Sequence, residues 1–238
     1  MNPRQRDEFQ CILRRGNQFD NSNVTSHASN HANPIGPLAR PDRAAKTMNQ
    51  AKTRRTAIVL IPPQSLWPAI NQIRSQYDPA FPRWMPHITL IYPFRPQEAL
   101  ERLLPIYQHA CKPLHPFEIE LTQVTGFPRG KAGVIYLAPQ PAEPIQALQR
   151  RLQKITPDCN EVSRFPDGFT PHLTIAKPKE NYPALLAQLQ AQWQPQRFPV
   201  TQIALIARGA PPNDPFQVIH QAPLLGEPVL HNPANPLN

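Results

Sequence analysis

Beyond residue 55, the apolar positions of the chain switch repeatedly between the spacing of strands and the spacing of helices. The first apolar run, Ala57 to Ile61, stops at Pro62 and predicts a buried strand. Behind Ser65, a candidate N-cap, apolar side chains then recur at helical intervals, at Leu66, Ile70, Ile73 and Tyr77. The alternation continues to about residue 225, so the sequence predicts a mixed fold, either α/β or α+β.

The remaining elements follow from the same patterns. Further strands are predicted at 86–92, Phe117–Val124, Val134–Leu137, 171–177, 199–207 and 216–222. Further helices are predicted around Leu100–Tyr107, with a kink at Pro105, and around Ile145–Ile155 and Leu185–Trp193. A turn across Gly126–Gly133 is expected to join two strands in the middle of the chain.

Residues 1–55 show no sustained period and are interpreted as a disordered basic extension. Their central stretch, 18–37, is rich in Asn, Ser and His and offers too little apolar surface to offset its ordering entropy. One hypothesis takes Met48 as the true start of the chain, and the alternative keeps residues 1–47 as a basic tail that contacts RNA or a membrane surface. Residues 56–225 are predicted to form the folded domain, and residues 226–238 a flexible C-terminal tail.

The net charge of +9 is unevenly distributed along the chain. Residues 1–55 carry 10 Lys and Arg against 4 Asp and Glu, whereas residues 56–238 carry 15 against 12. The folded part is therefore only mildly basic, and its bulk charge alone gives little reason to expect nucleic-acid binding.

Composition narrows the class of protein further. No apolar run approaches the roughly 18 residues of a membrane helix, and the N-terminus has no signal-peptide core, so no membrane partner is expected. The three cysteines, Cys11, Cys111 and Cys159, are far apart, which favours free thiols in a reducing, cytoplasmic compartment. Neither a dinucleotide-binding glycine motif nor a P-loop is present, and a monomer without an obligate protein partner is expected.

An eight-residue pattern occurs twice and is the strongest signal in the sequence. Residues 86–93 read Pro-His-Ile-Thr-Leu-Ile-Tyr-Pro, and residues 171–178 read Pro-His-Leu-Thr-Ile-Ala-Lys-Pro. A bare His-x-Thr is common by chance, but a pattern shared over eight positions, including both framing prolines, indicates a duplicated unit. Side chains alternate between the faces of a strand, so each histidine shares a face with its threonine. If the two units face one another, two imidazoles and two hydroxyls surround a gap.

This set of side chains suits phosphodiester chemistry without a metal. The ordinary pKa of imidazole is about 6.5, so one ring can take a proton from water or a ribose hydroxyl while the other gives a proton to the leaving oxygen. The threonine hydroxyls can donate hydrogen bonds to phosphate oxygens. Because the two copies are alike, the sequence leaves open which histidine is the base. A metal site is the rival interpretation, but neither H-x-H nor H-E-x-x-H spacing is present, so no metal and no cofactor is expected.

The paired motifs resemble the two His-x-Thr signatures of the two-histidine (2H) phosphoesterase superfamily, and within it the 2′-5′ RNA ligase family is most similar. The resemblance covers about residues 55–225. It implies a bilobal α+β fold with pseudo-two-fold symmetry, in which two antiparallel sheets flanked by helices surround a central cleft. It also implies a catalytic set made up of His87, Thr89, His172 and Thr174. The implied substrates are 2′,3′-cyclic or 2′-5′ phosphodiesters of RNA ends or small nucleotides, which would be hydrolysed or reversibly ligated.

Several positions near the motifs are weaker candidates. Phe127, Arg129 and Lys131 lie in the expected turn, where the two cations are candidates to meet a phosphate and the ring is a candidate to stack on a base. A solvated basic turn and a core aromatic are the alternatives. Tyr92 and Lys177 close the two motifs, but strict alternation places both on the face opposite the histidines, so neither is included.

Two other classes of function stay open. A non-catalytic RNA or nucleotide binder would keep the same cleft without turnover. A regulatory or scaffolding protein would act through the basic N-terminal tail, and deletion of residues 1–47 would then abolish its function.

Overall fold

The computed structural model of the protein describes residues 51–165, 167–209 and 214–226. Most of the predicted extension, including Met48, and nearly all of the predicted C-terminal tail lie outside these residues. Within the described ranges, the first strand begins at Thr56, and no helix is long and apolar enough to cross a membrane.

The first histidine motif lies in a strand between two helices. Strand β1 (Thr56–Leu60) is followed by a short 3₁₀ turn (Gln64–Leu66) and helix α1 (Trp67–Tyr77). Strand β2 (Ile88–Ile91) contains the first motif, and helix α2 (Gln97–Cys111) follows it. The buried positions of α2 recur at helical intervals, at Ala99, Leu100, Leu103, Tyr107 and Cys111.

The second motif lies in a similar arrangement. Two long strands, β3 (Phe117–Arg129) and β4 (Ala132–Gln140), form a hairpin whose turn has only two residues. The next elements are helix α3 (Glu143–Gln153), strand β5 (Leu173–Ala176), which carries the second motif, and helix α4 (Tyr182–Gln192). The last three strands are β6 (Gln196–Val200), β7 (Gln202–Ala207) and β8 (Gln217–Pro223).

The strands of the described ranges form two antiparallel sheets within one structural unit of the chain. The strand order is β2-β1-β7-β8 in one sheet and β5-β4-β3-β6 in the other. Each histidine strand therefore lies at the edge of its sheet. Strand β2 pairs with β1, and β5 pairs with β4, and in both cases one α-helix separates the two strands along the chain. The succession β1-α1-β2-α2 is repeated as β4-α3-β5-α4. Two antiparallel sheets flanked by helices confirm the fold class that the resemblance implies.

The helices hold the two sheets together at their edges. Helix α2 packs on β7 and β8, and helix α4 packs on β3 and β4. By contrast, α1 contacts β5 and α3 contacts β2, so each of these helices crosses to the histidine strand of the other repeat. Strands β2 and β5 also contact one another, which brings the two motifs side by side.

Alternation along β1 separates the helix-covered face of the first sheet from its other face. Ile58 and Leu60 belong to the main core, whereas Ala57 and Val59 belong to a second, smaller apolar cluster. The buried members of this second cluster are Ala57, Val59, Ala204, Ile206 and Phe216. The second face is therefore apolar beneath the first histidine motif.

The predicted turn across Gly126–Gly133 is wrong. Strand β3 continues to Arg129, and its residues pair with β4 along the whole hairpin. The ring of Tyr182 packs over Gly126 and Gly133, where any Cβ would overlap it. These glycines admit an aromatic ring to the sheet, and the turn itself uses Gly130, which has a φ of 62°.

Three smaller predictions also differ from the structure. The strand predicted over 199–207 is two strands, β6 and β7, which belong to different sheets. Ser65 is not the N-cap of α1, because the 3₁₀ turn includes it and Leu66 precedes the helix without a side-chain cap. Helix α2 begins three residues before Leu100 and ends at Cys111, four residues beyond Tyr107, with Pro105 inside it.

Candidate active site

His87 and His172 immediately precede the two edge strands and are held in the same way. Nδ1 of His87 lies 2.7 Å from the carbonyl oxygen of Met85, and Nδ1 of His172 lies 2.8 Å from that of Thr170. Because a carbonyl oxygen only accepts hydrogen bonds, each Nδ1 donates, and Nε2 is the unprotonated nitrogen of the neutral ring. Neither Nε2 atom bonds to a described residue, so both are available to a ligand.

Burial is the main cause that lowers the pKa of both imidazoles. The positive charges of Arg74, His172 and Lys177 lower the pKa of His87 further, to about 4, although its carbonyl hydrogen bond acts in the opposite direction. For His172, Lys177 is the one charge that adds to burial. Repulsion between two positive rings is mutual, so protonation of one imidazole opposes protonation of the other. The two rings are close enough to interact through their charges.

Thr89 and Thr174 occupy equivalent positions two residues beyond the histidines. Thr89 pairs with Val59 of β1, which belongs to the second apolar cluster, and Thr174 pairs with Tyr136 of β4. Both threonines are partly exposed, and their hydroxyls hydrogen-bond to no described residue. The structure therefore brings the four predicted side chains of the two motifs together, with both hydroxyls available to a ligand.

A bulge in each edge strand reverses the alternation after the threonine. The pairing register shifts between β1 and β2, and again between β4 and β5. As a result, two consecutive residues of each strand lie in the core: Leu90 and Ile91 in β2, and Ile175 and Ala176 in β5. Tyr92 then packs against Trp84 on the cleft side, and Lys177 acts on the pKa of both histidines. The exclusion of Tyr92 and Lys177 by strict alternation is wrong.

A buried ion pair lies beside Lys177. Nε and Nη2 of Arg74 donate to Oδ2 of Asp78 at 3.1 and 3.0 Å, and both side chains are 2% exposed. Nζ of Lys177 lies 3.9 Å from Oδ1 of Asp78, and its backbone N–H donates to the carbonyl of Tyr77. These contacts join the end of α1 in the first repeat to the end of β5 in the second, and so hold the two motifs in a fixed relation.

A row of stacked groups supports His87. The ring of Trp84 stacks on the imidazole at 4.5 Å between centroids with an interplanar angle of 17°, and Phe216 lies 3.8 Å from Trp84. Two rings cannot share one face of an indole at these distances, so both faces of Trp84 are covered. Tyr92 contacts Trp84 edge-on at 5.4 Å, and the guanidinium of Arg208 lies 5.5 Å from the Phe216 centroid. Trp84, which the sequence leaves unassigned, therefore orients the first imidazole.

His172 is flanked by a different pair of rings. Phe127 meets it edge-on at 5.6 Å, and Tyr136 lies 5.3 Å away at an angle of 56°. Phe127 and Tyr136 also contact each other at 4.7 Å, and Phe127 is partly exposed. The structure therefore places the candidate Phe127 beside the second imidazole.

Arg129 and Lys131 lie at the tip of the β3–β4 hairpin. Arg129 is the last residue of β3, two residues beyond Phe127 and on the same face, whereas Lys131 lies in the turn. Both are exposed. The substrate-binding roles of these two cations and of Phe127 stay predictions.

The residues missed by the sequence analysis differ in how they could have been found. In both copies of the motif, two aliphatic residues follow the segment His-x-Thr, which is a readable sign of a bulge ahead of Tyr92 and Lys177. Arg74 and Asp78 are spaced as an i, i+4 pair. The contact of Trp84 with Phe216 joins distant parts of the chain and leaves no local signal.

In the part of the chain that the structure describes, no group of three or more His, Cys, Asp or Glu side chains could hold a metal ion.

Solved structures share the fold. The chain superposes on TT0787 of Thermus thermophilus with a TM-score of 0.52 and 22% identity, over 73% of this chain and 99% of that one. Its TM-score with the apo form of Escherichia coli LigT is 0.50, with 17% identity over 73% and 98% of the two chains. At these identities the likeness concerns the fold alone.

Sequence comparison points to a family. A protein of Oceanobacillus iheyensis is 27% identical over 138 residues, 57% of this chain and 78% of the relative. A protein of Bacillus pumilus is 31% identical over 123 residues, 50% and 68% of the two chains. Both relatives carry the name "putative phosphoesterase". The model of the 2′-5′ RNA ligase superfamily matches residues 62–212, a range that includes both histidine motifs. The chain therefore belongs to the 2′-5′ RNA ligase superfamily and is a two-histidine phosphoesterase.

Proposed function

We propose that the protein is a metal-independent phosphodiesterase that cleaves 2′,3′-cyclic or 2′-5′ phosphodiester bonds of RNA ends or small nucleotides. One observation carries the proposal: both imidazoles are anchored through Nδ1 and leave Nε2 available, at the ends of two strands that contact one another. Two nitrogens of this kind can serve as an acceptor and a donor on opposite sides of a phosphorus atom. Reversible 2′-5′ ligation would use the same groups in the opposite direction.

In hydrolysis of a 2′,3′-cyclic phosphate, one neutral imidazole takes a proton from water as the new P–O bond forms. The bond between phosphorus and one ribose oxygen breaks, and the protonated imidazole gives its proton to that oxygen. The product is a phosphomonoester on the other ribose oxygen. Each Nδ1 stays bonded to its carbonyl throughout, which keeps the reacting Nε2 in place.

We assign the base to His87 and the acid to His172. The base must be neutral, and burial together with the charges of Arg74, His172 and Lys177 lowers the pKa of His87 to about 4, which keeps its ring neutral near pH 7. The carboxylate of Asp78 also lies on this side, but it is paired with Arg74. For His172, only the charge of Lys177 adds to burial in opposing protonation. The negative phosphate of a bound substrate would raise the pKa of His172. Substrate binding would thus create the protonated acid that the reaction needs.

The remaining groups of the cleft act on the phosphate and its nucleoside. The hydroxyls of Thr89 and Thr174 donate to the non-bridging oxygens, where negative charge develops in the transition state. Lys177, held near Asp78 at the end of β5, adds a positive charge next to both imidazoles. Phe127, beside His172 and partly exposed, is the candidate platform for a base.

A substrate panel in excess EDTA tests the proposal. It contains 2′,3′-cyclic mononucleotides, RNA with a 2′,3′-cyclic end and 2′-5′ dinucleotides, and the position of the product phosphate is determined. We expect turnover of at least one class in the chelator. Turnover that disappears in EDTA and returns with a divalent cation would contradict the metal-independent mechanism. Binding without turnover of any member would instead identify a non-catalytic RNA or nucleotide binder.

A further inference from the structure

A row of four groups leads from the first imidazole to a guanidinium at the other end of the first sheet. His87 stacks on Trp84, Trp84 on Phe216, and Arg208 lies over the ring of Phe216, 5.5 Å from its centroid. Arg208 directly follows β7, in which Ala204 and Ile206 lie on the face of the second apolar cluster. Alternation places Arg208 on that same face, the one that carries Thr89.

The guanidinium of Arg208 is incompletely satisfied. Its Nε and Nη1 atoms are buried and hydrogen-bond to no described residue. A buried donor without an acceptor costs on the order of 1–3 kcal/mol, and more when it is charged. Native proteins keep such groups mainly where a ligand or water supplies the acceptor. Stacking on Phe216 holds the guanidinium in place, but the ring offers no oxygen to these N–H groups.

The backbones of two further arginines contact Phe216 and Tyr92. The backbone N–H of Phe216 donates to the carbonyl of Arg83, and the hydroxyl of Tyr92 donates to the carbonyl of Arg54 at 3.3 Å. Burial raises the pKa of Tyr92, whereas the charges of Arg54, Arg208 and Arg83 lower it. The positive charges of three arginines therefore reach the phenol, and no carboxylate is among the groups that shift its pKa.

The chemistry of this corner selects an anion. Guanidinium groups bind phosphate oxygens through paired N–H donors. A nucleobase is not the expected occupant, because both faces of Trp84 are already covered by His87 and Phe216. A second reaction centre is not expected either, since none of the three arginines can act as a base at neutral pH.

We propose that Arg208 and Arg83 bind a second phosphate of the substrate beside Tyr92, outside the phosphodiester that reacts between the histidines. The inference rests on the proposed function and narrows its substrate class. The preferred substrate is then an RNA chain with a reactive end, whose next phosphodiesters extend along the first sheet, and not a cyclic mononucleotide. A phosphate at the 5′ position of a small nucleotide offers the same chemistry, and the test separates the two.

Three substrates decide the matter with the full chain: a nucleoside 2′,3′-cyclic phosphate, the same compound with a 5′-phosphate, and a trinucleotide with a 2′,3′-cyclic end. For the wild type we expect kcat/KM on the trinucleotide to exceed that on the mononucleotide at least about 10-fold. R208Q is expected to remove most of this preference, and R83Q part of it. R102Q, on an exposed position of α2, is the matched control and is expected to keep the preference.

Equilibrium binding of a fluorescent trinucleotide supplies a second readout that does not depend on turnover. For single strands, each phosphate contact contributes about 0.7 to the slope of log K against log salt concentration. R208Q should reduce the slope by about this amount. A second variant, R83Q, guards against a folding defect at Arg208, because Arg83 is only partly buried.

The outcomes are distinguishable. Equal kcat/KM on all three substrates, or a preference and a salt slope that R208Q and R83Q leave unchanged, would overturn the second phosphate site while the proposed function stands. An equal gain from the 5′-phosphate alone would overturn the assignment to an RNA chain. If the wild type turns over none of the three, the proposed function fails, and the effect of R208Q on trinucleotide binding still decides the phosphate site.

Discussion

The two histidine repeats share a scaffold but differ in what surrounds the imidazole. In both, Nδ1 is anchored to the carbonyl two residues earlier and a bulge follows the threonine. His87 is stacked on an indole, whereas His172 is met by the edge of Phe127 and by a tilted Tyr136. The shared parts fix each ring through Nδ1 and leave Nε2 unbonded. The differing parts give each ring its own aromatic surroundings.

Helices α1 and α3, which occupy equivalent places in the two repeats, also differ in their buried polar side chains. In α1, Arg74 and Asp78 form a buried ion pair one turn apart. In α3, buried Gln149 follows Ile145 by four residues, just as Arg74 follows Ile70 in α1. Nε2 of Gln149 donates to Oε1 of Gln153 at 2.6 Å. A charged pair in one repeat and a neutral pair in the other give the two imidazoles unequal electrostatic surroundings. Duplication therefore accounts for the symmetric placement of two histidines, and divergence accounts for the unequal surroundings of their rings.

The largest effect is expected from removing either imidazole. His87→Ala and His172→Ala should each lower kcat on a cyclic substrate about 10²- to 10⁴-fold, because each removes one proton transfer. The double variant should be little worse than either single one, since the two groups act in one step. His109→Ala, on the exposed side of α2, is the control in the same kinetic assay. A single variant with full activity would exclude its histidine from the reaction.

The next effect concerns the hydroxyls. Thr89→Val and Thr174→Val keep the shape of the side chain and remove a donor, and each is expected to lower kcat about 10²-fold. Thr201→Val, exposed between β6 and β7, serves as the comparison in steady-state kinetics. A change in KM alone, with kcat intact, would show that the hydroxyls bind the ground state and the transition state equally.

A smaller effect is expected at Lys177, which has no cationic counterpart in the first repeat. Its charge lowers the pKa of both histidines, so Lys177→Met should raise both pKa values and move the limbs of the pH–kcat/KM profile to higher pH. Lys179→Met, two residues on and exposed, should leave the profile in place. Identical profiles for the Lys177 variant and the wild type would show that this ammonium does not act on the imidazoles.

The smallest effect is one on stability. The pKa of His87 is about 4 in the folded protein and about 6.5 when unfolded, so the unfolded chain binds more protons between these values. Stability from this group is therefore lost as pH falls from about 6.5 to about 4, and does not change further below that. His87→Gln should flatten the dependence of Tm on pH across this window, by several degrees at its lower end. An unchanged slope in thermal unfolding would place the imidazole in a more hydrated environment than the structure shows.

Much of the site was readable from the sequence because the motif is local and repeated. The two copies predict two strands and the shared face of each histidine with its threonine, both of which rest on residues within eight positions. Strict alternation assigns Tyr92 and Lys177 to the wrong face, because a bulge depends on the register of the neighbouring strand. Two packing contacts join distant segments, so no local period predicts them: the stacking of Trp84 on Phe216 and the packing of Tyr182 over Gly126 and Gly133.

The division of roles between the repeats is tested most directly by the pH dependence of kcat/KM on a 2′,3′-cyclic substrate in EDTA. The wild type should give a bell-shaped profile, with one limb from the neutral base and one from the protonated acid. His87→Ala should lose the limb at low pH and keep the other, and His172→Ala should lose the limb at high pH. Loss of the same limb in both variants, or the reverse assignment of limbs, would contradict the account.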